Sequence, residues 1–204
     1  MVMRLSDEDL DRIAAAIGEA EKKTSGEIVC ALARRASDYA YVPPLWAAFF
    51  ALATPWPLAE FTTLSAIHIY AIQIGVFMAA ALLIWQPSIR IFLTPRLVKK
   101  RRAERAAIEQ FFMRGVAGTK GRTGVLIFVS FAEHYARIIA DEGLNGKISD
   151  AEWAAALEPL LARLGQGRCA EGFIATIEEC ARLLARAAPP GTEGDELPDK
   201  VYVS

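Results

Sequence analysis

The stretch Arg122–Asp150, RTGVLIFVSFAEHYARIIADEGLNGKISD, decides the fold. Its first apolar run, Val125–Phe131, is short, continuous and uncharged. A strand with one wet face would alternate apolar and polar residues, so this run predicts a strand covered on both faces. Ala132–His134 then makes a tight turn, and Tyr135–Asp141 a further strand. Ser149 and Glu152 stand in the S-x-x-E spacing of a capping box, in which each side chain satisfies the other residue's backbone N–H. A helix therefore opens there and runs through Trp153, Leu157, Leu160, Leu161 and Leu164. Pro159 falls inside it and predicts a kink or break, because proline has no N–H and its ring crowds the preceding turn.

Outward from this stretch the same logic extends the domain in both directions. GQG, at 165–167, ends the helix, and a last helix carries Phe173, Ile174, Ile177, Cys180, Leu183 and Leu184 on one face. The tail APPGTEGDELPDK is polar and rich in Pro and Gly, and residues 189–204 read as extended chain. Upstream, Val98–Ala117 is helical, with a basic first half and an apolar patch of Ile108, Phe111, Phe112 and Val116. Near the start, Ser6 caps a helix whose first turn holds Asp7, Glu8 and Asp9, with Leu5 and Leu10 placed as a hydrophobic staple. Leu10, Ile13, Ala14 and Ile17 form its apolar face. TSG at Thr24–Gly26 stops it, and Glu27–Ala33, EIVCALA, reads as the first strand, expected to pair with Val125–Phe131. The fold class is α/β: a small few-stranded sheet sandwiched by helices.

One region does not belong to such a domain. The chain has 204 residues, 53% of them hydrophobic, and a net charge of only −1; its mean hydropathy is +0.25. From Tyr39 to Ile89 there is no Lys or Arg, and Glu60 is the sole carboxylate. Leu64–Trp85 would span about 33 Å as a helix, enough for a hydrocarbon core. Val42–Ala59 is shorter and carries Pro55 and Pro57; it reads as a second, short span. With AEFTT as the turn between them, the pair forms a transmembrane helical hairpin. Trp46 and Trp85 would mark one interface and Trp56 the other. The parts are then 1–38, first portion of the domain; 39–89, hairpin; 90–188, remainder; and 189–204, tail.

Charge sets the orientation. Arg34 and Arg35 precede the first span, and Arg90, Arg96, Lys99, Lys100, Arg101, Arg102 and Arg105 follow the second, while the turn has no basic residue. The positive-inside rule places both flanks, and so both termini and the soluble domain, in the cytoplasm, at a bacterial inner membrane. Residues 1–30 open on an acidic amphipathic pattern, unlike a signal peptide. The basic cluster at Arg96, Lys99, Lys100, Arg101 and Arg102 is also suited to anionic headgroups. Without interleaved aromatics or a recognition motif it does not point to nucleic acid. Three cysteines agree with a reducing compartment, and Cys169 and Cys180, about 16 Å apart on one helix, lie beyond disulfide reach. His68 falls inside the second span, where an ionisable group is a functional candidate; with no acid near it in sequence, a neutral ring bonded to backbone or to a partner helix is the expectation.

Chemistry-bearing residues are few. There is no P-loop, G-x-S-x-G, zinc spacing or dinucleotide fingerprint. Asp141, Glu142, Asn145 and Asp150, with Glu133, could supply oxygen ligands to Ca²⁺ or Mg²⁺, though DEGLNGKISD lacks the EF-hand spacing. The other reading has Asp150 supporting its helix N-terminus and the rest as solvated loop charges. His134 could serve as a general acid or base; a turn histidine is also often incidental.

RTGVLIFVS followed by RIIADEGLNGKISD, then a helix and a G-R-x-A-E-G helix, resembles the TPM domain, a Rossmann-like module shared by thylakoid lumen, photosystem II repair and acetylcholine-receptor-modulating proteins. Gly143, Leu144, Gly146, Ile148, Ser149 and Asp150 match its Gly-Leu-x-Gly-x-Leu-Thr-Asp signature. The likeness extends from about Leu5 to Ala187, and the hairpin inserted after the first strand looks like that of a bacterial membrane subfamily. The resemblance implies one of several roles: acid phosphatase, binding of calcium or similar ions at strand ends, or contact with membrane-protein complexes. This chain departs from the pattern where Arg122 replaces a commonly acidic residue, where Asp141-Glu142 replaces a Gly-aromatic pair, and at Asn145, often Glu. A non-enzymatic adaptor or assembly and quality-control factor at a membrane-protein complex is accordingly expected, with a divalent-metal-dependent acid phosphatase as the alternative.

Overall fold

The computed structural model describes residues 5–191 and 196–203. The chain divides into two compact units, Met1–Ala36 with Arg102–Ser204, and Ser37–Arg101.

In the first unit, strands β1 (Ile28–Ala33) and β2 (Val125–Ser130) lie parallel, with Ile28 opposite Val125 and Ala33 opposite Ser130. β3 (Tyr135–Ala140) returns antiparallel to β2 across the four-residue turn 131–134. Every residue of β1 and β2 is buried, because the two faces of the pair feed two different cores. Ile28, Cys30, Leu32, Val125, Ile127 and Val129 face α1 (Asp7–Glu21), α7 (Asp150–Leu164) and α8 (Cys169–Ala187). Val29, Ala31, Ala33, Leu126 and Phe128 face Ala107 and Phe111 of α6 (Arg96–Met113) and Val116 beyond it. Alternation along a strand thus becomes continuous burial once helices cover both sides.

The expected capping box forms at α7 between Ser149 and Glu152, and Ser6 caps α1 as expected, with Asp9 completing a second box there. Three expectations are corrected. Pro159 does not break α7, which continues through it as a single element; packing against α8 and the sheet holds the backbone where one hydrogen bond is missing. The helix read as Val98–Ala117 ends at Met113, and a separate turn, Val116–Gly118, follows a left-handed Gly115 at φ 74°. The tail is not merely extended: β4 (Val201–Val203) pairs parallel with β1, completing the order β3-β2-β1-β4.

In the second unit, the apolar region does not consist of two uninterrupted helices. Its first limb divides into α2 (Val42–Ala53) and α3 (Pro55–Phe61). Thr54 keeps right-handed helical dihedrals and its N–H still bonds Phe50 O at 3.1 Å, but Pro55 and Pro57 remove the next donors. α4 (Ala66–Ile84) packs against α2 as the second limb. A short helix not foreseen, α5 (Pro87–Leu93), then begins on a proline at its first turn. Arg90 of α5 donates to Trp85 O at 2.8 Å and Asp38 O at 2.6 Å, so one guanidinium satisfies the carbonyl that caps α4 and another in the segment before α2. Tyr39, Val42 and Ile84 form the small core of this unit.

Candidate functional site

The proposed metal ligands come from the loop between β3 and α7, which packs on the loop entering β2. Asp141 N–H bonds Gly124 O and Gly143 N–H bonds Arg122 O, each at 2.9 Å. A Cβ on Gly143 would fall 2.5 Å from Gly121 O and 2.6 Å from Arg122 O, both rigid backbone, so only glycine allows this approach. Asp141, 4% exposed, accepts the Glu142 N–H at 2.7 Å through Oδ1. Its Oδ2 lies 3.3 Å from Arg122 Nε, an ion pair whose geometry falls short of a hydrogen bond. Arg122 Nη2 also reaches Glu142 at 3.2 Å, and Nη1 donates to Ala117 O at 2.6 Å. Arg122 itself adopts φ 53°, unusual for a residue with a side chain.

Of the four candidates, the structure therefore brings Asp141 and Glu142 together around a guanidinium. Asn145 closes the short turn Glu142–Leu144 through its backbone, and Asp150 is the first residue of α7. Among the described residues, no group of three or more His, Cys, Asp or Glu side chains is arranged to hold a metal ion.

Glu133 and His134 lie in the β2–β3 turn. The Glu133 carboxylate, buried, accepts the Ala36 N–H at 3.1 and 3.0 Å and the Ser130 hydroxyl, tying the turn to the end of β1. His134 takes φ 50° and closes the turn with an N–H bond to Phe131 O at 3.1 Å. The cysteines are poor nucleophiles: burial pushes the Cys169 and Cys180 thiols up to about 12 and holds Cys30 well above its ordinary value, so all three stay protonated at neutral pH.

Sequence reading missed a cleft of about 510 Å³ between α1, the entrance to β1 and the C-terminal segment. Glu21, Glu27 and Asp199 line it with Thr24 and Thr123. Glu21 accepts the Ile28 N–H at 2.8 Å. Burial, then the neighbouring Asp199, pushes its carboxyl up to about 9. The only hint in the sequence was Asp199 in a tail that gave no sign of docking.

In the second unit, α4 has mean hydropathy 2.1 and is the one helix among the described residues long and apolar enough to cross a membrane; 6% of its apolar stretch is buried. α2, with 12 residues, is too short alone. His68 sits in the first turn of α4, its Nδ1 2.7 Å from the Ser65 hydroxyl. Trp56 and Trp85 are exposed, whereas Trp46 packs edge-on against Phe49 at 5.7 Å. Of the six basic residues of α6, Arg96, Lys99, Lys100, Arg101 and Arg102 lie in its first two turns, all exposed except the half-buried Lys99.

Residues 86–183 match the family described as TPM domain. The chain also resembles the NMR structure of the BA42 protein from the psychrophilic bacterium Bizionia argentinensis, with TM-score 0.61 and 21% identity over 98% of this chain and 95% of that one. No curated protein sequence matches. The matched residues 86–183 hold β2, β3 and the Gly143–Asp150 signature, so this part of the chain is similar to the TPM domain, and the fold of the whole is similar to that of BA42.

Proposed function

We propose that this TPM domain is held at the cytoplasmic face of a bacterial inner membrane by its helical insertion and acts there as a non-enzymatic adaptor in the assembly or turnover of a membrane-protein complex. What carries the anchoring is α4: Ile67, Tyr70, Ile74, Met78, Leu82 and Leu83 are all more than half exposed, a surface that water would penalise and lipid would not. α2 and α3 together supply a second, proline-broken limb, which a membrane tolerates when neighbouring helices satisfy the freed carbonyls. The basic residues Arg96 to Arg102 then sit on the cytoplasmic side with the anionic headgroups.

Arg122 favours the adaptor over a metal-dependent phosphatase. It supplies beside Asp141 and Glu142 the positive charge a Ca²⁺ or Mg²⁺ ion would otherwise bring. Two measurements test the reading. Alkaline carbonate should leave the chain in the membrane pellet, and affinity isolation of the tagged chain from solubilised membranes should return a stoichiometric membrane-protein partner. The detergent-purified chain should show no rise in Tm with Ca²⁺ or Mg²⁺. A metal-dependent rise abolished by D141N/E142Q, together with phosphomonoester hydrolysis, would make the phosphatase the better account.

A further inference from the structure

We propose that α5 and the start of α6 form an interfacial arm that lies among the headgroups of anionic phospholipids, with Phe92 and Leu97 between the lipids and Arg96, Lys100 and Arg101 against their phosphates. This rests on the reading of α4 as a membrane span and adds to it a contact selective for lipid charge. It concerns the second unit alone.

The chain does not run straight on from α4. Gln86 leaves the helical region at ψ 125°, Pro87 opens α5, and Thr94 and Pro95 separate α5 from α6. With seven residues, α5 reaches only about 10 Å. It is therefore a separate arm, and its inner side is fixed. Ile91 and Leu93 pack on the Tyr39, Val42 and Ile84 core. The Thr94 hydroxyl donates to Arg90 O at 2.8 Å, and the Arg90 guanidinium lies 5.5 Å from the centre of the Trp85 ring.

The outer side is apolar where water would be its neighbour. Phe92 is 83% exposed and Leu97 74%, with Trp85 mostly exposed beside them. Charge points to what covers them. Arg96, Lys100 and Arg101 are exposed, whereas residues 37–101 hold only two carboxylates, Asp38 and Glu60. Asp38 has an interaction of its own, and Glu60 belongs to α3, beside the hairpin turn and one length of α4 away from α5. The counter-charge comes from outside this unit, and an anionic headgroup layer supplies it over a surface. Aromatic and aliphatic side chains set between cations fit the boundary of headgroups and acyl chains, where long basic side chains reach back to the phosphates.

Site-specific fluorescence on the full chain in lipid nanodiscs tests this. Cys30, Cys169 and Cys180 are buried, so a maleimide dye reports an introduced cysteine, with the unsubstituted chain as the labelling blank. Ile74→Cys places the dye on α4 and Phe92→Cys on α5; Leu97→Cys is the second position if Phe92→Cys fails to fold. The Ile74 dye should be shielded from acrylamide, a neutral aqueous quencher, in phosphatidylcholine with or without phosphatidylglycerol. The Phe92 dye should be quenched by a headgroup-borne nitroxide, and its acrylamide quenching should fall roughly threefold when phosphatidylglycerol is included. Changing Arg96, Lys100 and Arg101 together to Gln should abolish that difference. Acrylamide quenching of the Phe92 dye that is equal in both lipids, or a difference that survives the triple variant, overturns the proposal while a shielded Ile74 dye keeps the span. Shielding of the Phe92 dye that appears only in native membranes assigns the surface to a protein instead. An Ile74 dye open to acrylamide removes the span and the proposal with it.

Discussion

Arg122 occupies a left-handed backbone position to bring one guanidinium against Asp141, Glu142 and the Ala117 carbonyl. Asp141 is almost fully buried, so removing its counter-charge leaves a desolvated carboxylate. Arg122→Ala should cost about 1–3 kcal/mol of unfolding free energy, measured by denaturant titration of the purified chain. R122A/D141N should be less destabilised than the sum of the single variants, since the amide no longer needs the cation. Additive effects would show that the pair is not coupled. This contact could not be read from the sequence, because its partners meet only when two loops close on each other. Asp150 could be: the Ser149–Glu152 spacing placed it at a helix start without reference to any tertiary neighbour.

At the scale of elements, what the sequence revealed depended on whether a signal was local. β1 and β2 announced themselves as continuous apolar runs, and α1 and α7 by their caps. β4 did not, since three residues after a Pro/Gly-rich segment carry no period, and their pairing is set by Glu27 and the β1 edge. Local rules also overstated Pro159. Its missing N–H still leaves Ala155 O without its helical partner, so Pro159→Ala should stabilise the protein by about 1–3 kcal/mol; a loss of stability would mean that the ring's packing outweighs the bond. Glu152 is held down to about 2 by the Ser149 backbone N–H first and by Arg186 second. A depressed acid contributes above its unfolded value and loses that contribution as pH falls through its folded value. Between about 4.5 and about 2, Glu152→Gln should therefore lose less stability on acidification than the wild type, as read from Tm against pH.

For the whole molecule, the first unit takes its core from both sides of the inserted region: Ile13, Ile17, Ile28 and Leu32 precede it, while Ile127, Leu160, Phe173 and Leu184 follow it. None of these comes from the second unit. Replacing Tyr39–Ile89 by a flexible Gly/Ser linker should consequently give a soluble domain that melts cooperatively and keeps mixed α/β circular dichroism. A molten or aggregated product would show that the insertion is needed for folding. Orientation has its own test: a reporter fused after Ser204 should register cytoplasmic location, and periplasmic alkaline-phosphatase activity there would reverse the proposed topology.

The register that sets Ile28 beside Val125 also imposes a timetable on synthesis. A ribosome adding ~5–20 residues per second makes β2 roughly 5–20 s after β1. During that interval a wholly apolar strand has no sheet to join, and the entire helical insertion has already been translated. Nascent chains arrested before Val125 should be protease-sensitive in α1 and β1, and on the anchoring reading they should already resist carbonate extraction. The bilayer would then be engaged before the domain closes, so the tether is in place before there is anything folded to hold.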